Sequence, residues 1–475
     1  MRSCISAVLI GALAASPTAL AQDKPLQGWS TYRGNPARTG CSDNLAGPAA
    51  PKVLWVFKSQ EHFIATPSPA GDRLFVSGLG AFNVSTFACL STDPKADKRV
   101  IWSKTTPALK LPTVSSPAVV DGLVLFGDGM HQTDGAILHC LRAEAGKPFW
   151  KLPVPGTLVH LEGSPAVAGN LAYIGGGALG VICVDITKVS LDGKPMQPAQ
   201  AQKIIDDKWA DLLKKYEEEK KKDPDFAVPP NEDQLPKLAP ALVWKQGDKK
   251  WHVDAPVNVV GDRVFIASAF LDKEKEGDRA VYCLDAKTGQ TKWRAALNVN
   301  PWGGPSVLEN VVVTTGSTIP FAPAMLKGAK GEIAAFELAD GKERWRKEVP
   351  GGILGSVALA GGQAICTASD GKVRAFDLAS GERTWIYDAK TPFFGPAAVV
   401  GGVVYAGDLN GVVHAVNLQD GTSKWRLDLG ADPAVKAPGM IYGGPVVHGG
   451  KIYVATCNIE GEHARNPTVV VCIGQ

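Results

Sequence analysis

Beyond the first twenty residues, no stretch of this 475-residue chain is apolar for long enough to cross a bilayer, which takes about 20 consecutive residues. Charge of one sign is missing too. Lys+Arg number 50 against 47 Asp+Glu, and the formal charge is +3. The basic footprint that nucleic-acid binding needs is therefore absent. The chain contains no G-x-S-x-G elbow, no H-E-x-x-H helix and no G-x-x-x-x-G-K-[ST] loop, so three common enzyme signatures are excluded. Its nine cysteines show no C-x-x-C, haem-attachment or zinc spacing. Turns, by contrast, are abundant: 52 Gly and 34 Pro in a chain 45% apolar and 20% charged. That composition is turn-rich and globular, and too apolar for disorder.

The chain opens with Arg2, an apolar run from Ile5 to Ala15, and Ala19-Leu20-Ala21. A charged start, a short apolar core and small residues at the end form the pattern of a cleaved export signal. Residues 1–21 are expected to be removed and 22–475 to reach the periplasm or the exterior. Cys4 lies in the charged start and not at the cleavage point, which argues against a lipid anchor. Removal takes away Arg2 and no acidic residue, so the formal charge falls from +3 to +2.

Repeats decide the architecture. Residues 280–293 (AVYCLDAKTGQTKW), 332–345 (EIAAFELADGKERW), 372–385 (KVRAFDLASGERTW) and 412–425 (VVHAVNLQDGTSKW) are copies of one hairpin. Each alternates apolar and polar residues, turns at a Gly and ends on a Trp strand. A second strand pair precedes each hairpin, as in SSPAVVDGLVLFG from Ser115 and GGPVVHGGKIYVA from Gly443. Four strands per unit of roughly 40–50 residues is the sequence signature of a β-propeller. Trp102, Trp150, Trp244, Trp293, Trp345, Trp385 and Trp425 end seven units. The eighth unit starts at Gly443 and stops without its Trp strand. Lys52–Phe57, carrying Trp55, is expected to supply that strand from the other end of the chain. Closure would give an all-β fold of eight blades and hide two aggregation-prone edges.

The run from Leu284-Asp285 through Thr288-Gly289 to Trp293 resembles the tryptophan-docking repeat of pyrroloquinoline-quinone (PQQ) dehydrogenases. Non-enzymatic relatives share that repeat, among them the outer-membrane assembly scaffold lipoprotein. The resemblance covers about 420 residues and specifies the fold. The segment Trp29-Ser-Thr-Tyr-Arg-Gly-Asn-Pro-Ala-Arg-Thr-Gly40 is similar to the leader of exported bacterial propellers of this kind. The resemblance implies that each of the eight Trp, from Trp55 to Trp425, packs over the turn of a neighbouring blade. It also makes one absence informative: the adjacent Cys-Cys pair of quinone-dependent alcohol dehydrogenases is missing.

Cys89, Cys140, Cys183, Cys283 and Cys472 occupy one equivalent position in five blades, where the other three carry Ala335, Ala375 and Ala415. A position restricted to Cys or Ala is a tight buried site, and free Cys behaves as a small hydrophobe. Matched positions in separate blades are expected to lie too far apart to bridge, since a disulfide needs Cα atoms within about 7 Å. Among Cys41, Cys366 and Cys457 one pairing stays open. Between Asp185 and Trp244 a helical insertion, 187–241, interrupts the third blade. Within it Pro198 to Lys222 is expected to be helical, with Ile205, Trp209, Leu212 and Tyr216 on one face. It reads either as a rim helix with a charged tip or as a partner-docking or lid element.

Loops entering the innermost strands surround one mouth of the channel. They bring His62, Phe63, Glu162, His252, Asp254, Trp302, Phe393, Phe394 and Tyr442. A quinone site would need an aromatic floor, a Ca²⁺ on oxygen ligands and a base. The candidates are Trp302 as floor, Glu162 as metal ligand and Asp254 as base, with His252, Phe394 and Tyr442 beside the cofactor. Two functions follow. The first is a non-catalytic exported module, a monomer that binds a protein or cell-envelope partner through one face. The second is a PQQ- and calcium-dependent alcohol or sugar dehydrogenase. Asp408-Leu-Asn410-Gly411 faintly resembles a calcium loop but lacks its closing Glu, and serves better as a hairpin turn.

Overall fold

The computed structural model describes residues 28–80, 84–106, 108–131, 133–247, 250–319, 325–326, 328–460, 464 and 466–475. The expected export signal, with Cys4, lies outside the described residues. Eight antiparallel sheets follow one another along the chain, seven of four strands and one of five. The first blade runs Ser68–Ala70, Arg73–Leu79, Ser85–Ser91 and Val100–Lys104 from the axis outward, and the others repeat that order. The last blade is closed by Lys52–Ser59, which pairs antiparallel with the chain's final strand, Thr468–Gly474.

Register explains the Cys/Ala position. Each of these small residues lies directly across from a docking Trp: Cys89 from Trp102, Cys140 from Trp150, Cys183 from Trp244 and Cys283 from Trp293. Ala335, Ala375 and Ala415 face Trp345, Trp385 and Trp425 in the same way, and Cys472 faces Trp55. An indole beside a buried strand leaves room for little more than a methyl or a thiol. All eight described cysteines are free and buried, Cys41, Cys366 and Cys457 included.

Docking itself has two parts. The Trp385 indole N–H donates to the Leu418 carbonyl of the next blade at 2.8 Å, and Trp102, Trp244, Trp293 and Trp345 do the same with their neighbours. The ring then lies on the neighbour's turn glycine: a Cβ added to Gly421 would meet Trp385 at 2.7 Å. Gly421 also holds φ +74, a conformation that glycine adopts without penalty. Three blades depart from the pattern. Trp55 donates to Thr92 O at 3.4 Å, over a hairpin, residues 92–98, that contains no glycine. Trp425 donates to Pro48 O at 3.1 Å, because ring closure puts the incoming chain where a hairpin turn would be. Trp150 Nε1 has no acceptor. Its neighbour, the third blade, lacks the usual turn and carries an extra strand (Lys194–Met196) and a helix instead.

That helix spans Pro198–Lys222 and begins with Pro at its first turn, where a missing N–H costs nothing. Ala201 and Ile205 are buried in one core with Trp150, and Trp209 and Leu212 pack partly against it. Arg142 donates to Gln202, and Lys104 of the first blade pairs with Glu232 beyond the helix. The segment thus lies on the rim beside blades one to three, with its Glu/Lys tip in solvent. Among the described residues no helix is long and apolar enough to cross a membrane.

The leader segment fills the axis. Carbonyls of Trp29, Ser30, Pro36, Ala37, Thr39 and Gly40 accept N–H groups of Val119, Val167, Val307, Leu359, Val399 and Val447, one from the innermost strand of each of six blades. Arg33 and Arg38, both 0% exposed, finish the seal. Arg33 donates to Pro445 O and Ala397 O at 2.7 and 2.8 Å. Arg38 donates to Tyr32 O at 2.6 Å, Val257 O at 2.7 Å and Thr31 Oγ1 at 3.0 Å. Burial lowers Arg33 to about 10 and Arg38 to about 9, so both keep their charge at neutral pH.

Candidate functional site

At the mouth where chains enter the innermost strands, the lining divides by chemistry. Loops into blades five to eight and one supply an apolar cluster: Leu354, Phe394, Leu409, Met440, Tyr442 and Cys457, with Trp302 and Ile64 against it. Phe394 meets Tyr442 edge-on at 5.2 Å. Phe393 instead faces the His414 ring within its own blade region, and His62 Nδ1 accepts the Asn458 N–H. Loops around blades two to four supply a polar cluster. His160 and Glu162 come from the loop between blades two and three, and His252 and Asp254 from the loop between three and four. His131 belongs to the loop inside blade two, between the strands Leu123–Gly127 and Ala136–Arg142.

Asp254 is the centre of this group. Its Oδ2 lies 2.9 Å from His252 Nε2 and 3.8 Å from His131 Nδ1, and its Oδ1 lies 3.5 Å from His160 Nδ1. The three imidazole centroids are 5.0, 5.0 and 5.3 Å apart. One ligand atom from each of His131, His160, His252 and Asp254 fits within 4.8 Å of all the others. Glu162 Oε1 accepts the backbone N–H of His131 at 2.5 Å and lies 3.4 Å from His160 Nδ1. The sequence reading brought Glu162, His252 and Asp254 to one place but missed His131 and His160, and it joined them to Trp302, Phe394 and Tyr442, which pack in the other cluster.

The loops are tied to one another through their backbones. Gly177 and Val253 exchange two hydrogen bonds of 3.1 and 3.0 Å, Ala178 N donates to Leu158 O, and Leu161 N donates to Asp128 O. Ser268 Oγ accepts the His252 N–H at 2.9 Å. Electrostatics follow from crowding. Burial and the nearby Asp254 push Glu162 up to about 8, a push tempered by its remaining 27% exposure. Burial would also raise Asp254, but the imidazoles outweigh it and hold the carboxyl well below the carboxylate range. Burial lowers His160, and Asp254 offsets this only in part. At His252 burial acts downward too, and Asp254 reverses it to a net increase.

A quinone with calcium does not fit these residues. Ca²⁺ takes about 6–8 oxygen ligands, whereas Glu162 and Asp254 sit among three ring nitrogens. Trp302, the candidate floor, packs against the apolar cluster that holds Phe394 and Tyr442, whereas the candidate metal ligand and base, Glu162 and Asp254, belong to the histidine cluster. The Asp408 loop is a turn: Asp408 accepts N–H groups of Asn410 and Val412 and contacts His414 Nε2 at 3.0 Å.

A family model described as outer membrane protein assembly factor BamB matches residues 47–205, 237–322 and 323–473. No curated protein matches the chain significantly. Among solved structures, BamB from Moraxella catarrhalis is 14% identical with a TM-score of 0.57, over 90% of this chain and 98% of that one. A europium-containing methanol dehydrogenase is 13% identical with a TM-score of 0.61, over 95% and 99%. The quinohemoprotein alcohol dehydrogenase from Comamonas testosteroni is 14% identical with a TM-score of 0.60, over 95% and 81%. Likeness at such identity establishes the fold alone.

Proposed function

Because the chain belongs to the family of outer membrane protein assembly factor BamB, we propose that it is an exported, monomeric binding or scaffold module of the cell envelope, holding a protein partner on one face of the propeller. One observation carries this reading over dehydrogenase chemistry. The channel mouth offers a histidine cluster on one side and a filled aromatic cluster on the other, and neither suits a quinone on calcium.

Two experiments test it. N-terminal sequencing of the envelope fraction should find a chain beginning at Gln22. Titration with pyrroloquinoline quinone plus Ca²⁺ should give no heat, no shift in melting temperature and no dye-linked oxidation of alcohols or sugars. A cofactor at 100 times its dissociation constant would add about 2.7 kcal/mol, which a thermal scan registers. Turnover that depends on quinone and disappears in Asp254→Asn would replace this reading with the dehydrogenase. In-cell cross-linking followed by mass spectrometry should recover one recurrent envelope protein, and a chain that cross-links to nothing would count against a scaffold.

A further inference from the structure

We propose that His131, His160, His252 and Asp254 bind a single divalent transition-metal ion of the zinc class. This goes beyond the scaffold reading and does not depend on it.

Unsatisfied polar atoms are the first reason. His160 and His252 are both 0% exposed, and neither ring nitrogen of either residue has a hydrogen-bond partner. The 2.9 Å approach of His252 Nε2 to Asp254 is too poorly aligned to count as one. Asp254 Oδ1 is unpartnered as well. Buried polar groups in folded proteins are nearly always satisfied. Other single buried polar atoms lack partners, but the other fully buried imidazoles each hold at least one: His139 Nε2 meets Asp128 at 2.7 Å while its Nδ1 is free, and His414 meets both Asp408 and the Tyr387 hydroxyl. Among the described residues, only at the mouth do buried imidazoles converge with both ring nitrogens idle.

Geometry is the second. A tetrahedral zinc with ligands at about 2.0–2.1 Å holds its donors roughly 3.4 Å apart. The three imidazole contacts with Asp254 are 2.9, 3.5 and 3.8 Å, the second to Oδ1 and the others to Oδ2, and one ligand atom from each of the four residues lies within 4.8 Å of all the others, so closing on an ion draws the farthest donors together by about 1 Å or somewhat more. Three imidazoles and one carboxylate form a nitrogen-rich set suited to zinc and its neighbours and ill suited to Ca²⁺ or Mg²⁺.

Support and access complete the site. Glu162 fixes the His131 loop through its backbone N–H, and the Gly177–Val253 pairing fixes the His252–Asp254 loop. Gly177 leaves space that the His160 ring needs, since a Cβ there would stand 2.9 Å from His160 Nε2. His131 retains 40% side-chain exposure and opens the cluster to solvent, so an ion has a way in.

The test uses the full chain, stripped with a chelator and titrated with ZnCl₂. One equivalent should bind and raise the melting temperature, and Co²⁺ should show the visible bands of a tetrahedral nitrogen–oxygen site. His131→Ala, at a half-exposed loop position, should fold normally and lose at least tenfold in affinity. Asp254→Asn should lose as much, and His448→Ala, outside the cluster, should lose nothing. The proposal is overturned if no zinc binds. It is also overturned if both variants keep wild-type affinity, or if Ca²⁺ binds as tightly as Zn²⁺. None of these outcomes bears on quinone turnover or partner cross-linking, so the two readings fail separately.

Discussion

Replacing Arg38 with alanine removes one of the donors that tie the leader to blade four, the other being Asn258 Nδ2 to Pro36 O at 2.8 Å. The buried carbonyl of Val257 and the partly buried carbonyl of Tyr32 lose partners at 2.7 and 2.6 Å, and Thr31 Oγ1 loses one at 3.0 Å. Each buried acceptor left without a donor costs about 1–3 kcal/mol, so the two carbonyls together set a range of about 2–6 kcal/mol. Relief from burying a cation, the cause of Arg38's lowered pKa, offsets part of that. The hydroxyl of Thr31 rotates toward another acceptor. We expect a net loss of about 3 kcal/mol for Arg38→Ala. Arg38→Lys keeps the charge but has one nitrogen in place of a planar fork, and should lose less. Urea unfolding followed by tryptophan fluorescence reads the difference directly, since buried Trp29 belongs to the same leader. An Arg38→Ala midpoint equal to wild type, with the slope unchanged, would refute the claim that the leader is held by its arginines.

Other consequences are quicker to state. Deleting residues 22–57 removes both the leader and the closing Trp55 strand, and the product should aggregate or melt far below the full chain; a soluble truncation of unchanged stability would contradict the closure. Cys283→Ala should be nearly silent, while Cys283→Leu, opposite Trp293, should overpack and cost about 1–3 kcal/mol by denaturant titration. Both Trp385→Phe and Trp150→Phe leave a cavity, but only the first also gives up an indole hydrogen bond, so it should lose about 0.5–1.5 kcal/mol more than the packing cost of its truncation alone, whereas Trp150→Phe should show the packing cost only. Burial raises Cys89, Cys183, Cys366, Cys457 and Cys472 to about 12 from an ordinary 9.0. Between those limits the unfolded chain has released thiol protons that the folded chain retains, so stability should fall as pH climbs from about 9 toward 12. Raised Tyr173 and Tyr453 act the same way and outnumber, with the thiols, the buried arginines that act oppositely. A flat melting temperature across that range would contradict it.

Much of the fold was legible because a propeller writes itself into local pattern. The strand alternation, the Asp/Thr/Ser-Gly turn and the Trp recur at fixed offsets, and the Cys/Ala position marks a steric constraint whose cause is the facing indole. The helix from Pro198 to Lys222 was equally plain from its spacing and from Asp223-Pro224. Residues 29–41 were not legible as an axial plug. Their hydrogen bonds run from their own carbonyls to partners as remote as Val447, and such pairing leaves no periodicity in the sequence. The site was half legible. Loop position indicated Glu162, His252 and Asp254, but it does not tell which mouth side chains share a cluster: Trp302 packs against the apolar group, while His131 of blade two reaches His252 on the loop into blade four. His131 lies in a loop within a blade, outside the set of loops considered, and His160 lay two residues before Glu162. The available signal was scarcity: the chain has eight histidines, and three of them converge here.

The axial leader has a consequence for how the molecule comes to exist. Gly40 leaves the ribosome early, yet it waits for Val447, and Lys52–Ser59 waits for Thr468–Gly474. Blades can form one by one as they emerge, each a local hairpin pair, but the ring has no axle and no clasp until the final strand is made. Contacts that span nearly the whole chain form slowly, because the loop they close is the longest available. For all of that interval two strand edges stand bare, at opposite ends of an open arc, and bare edges invite the wrong neighbour. Closure of the propeller is therefore its most hazardous step, and a mutation that slows the last blade should show its damage as lost yield long before it shows as lost stability.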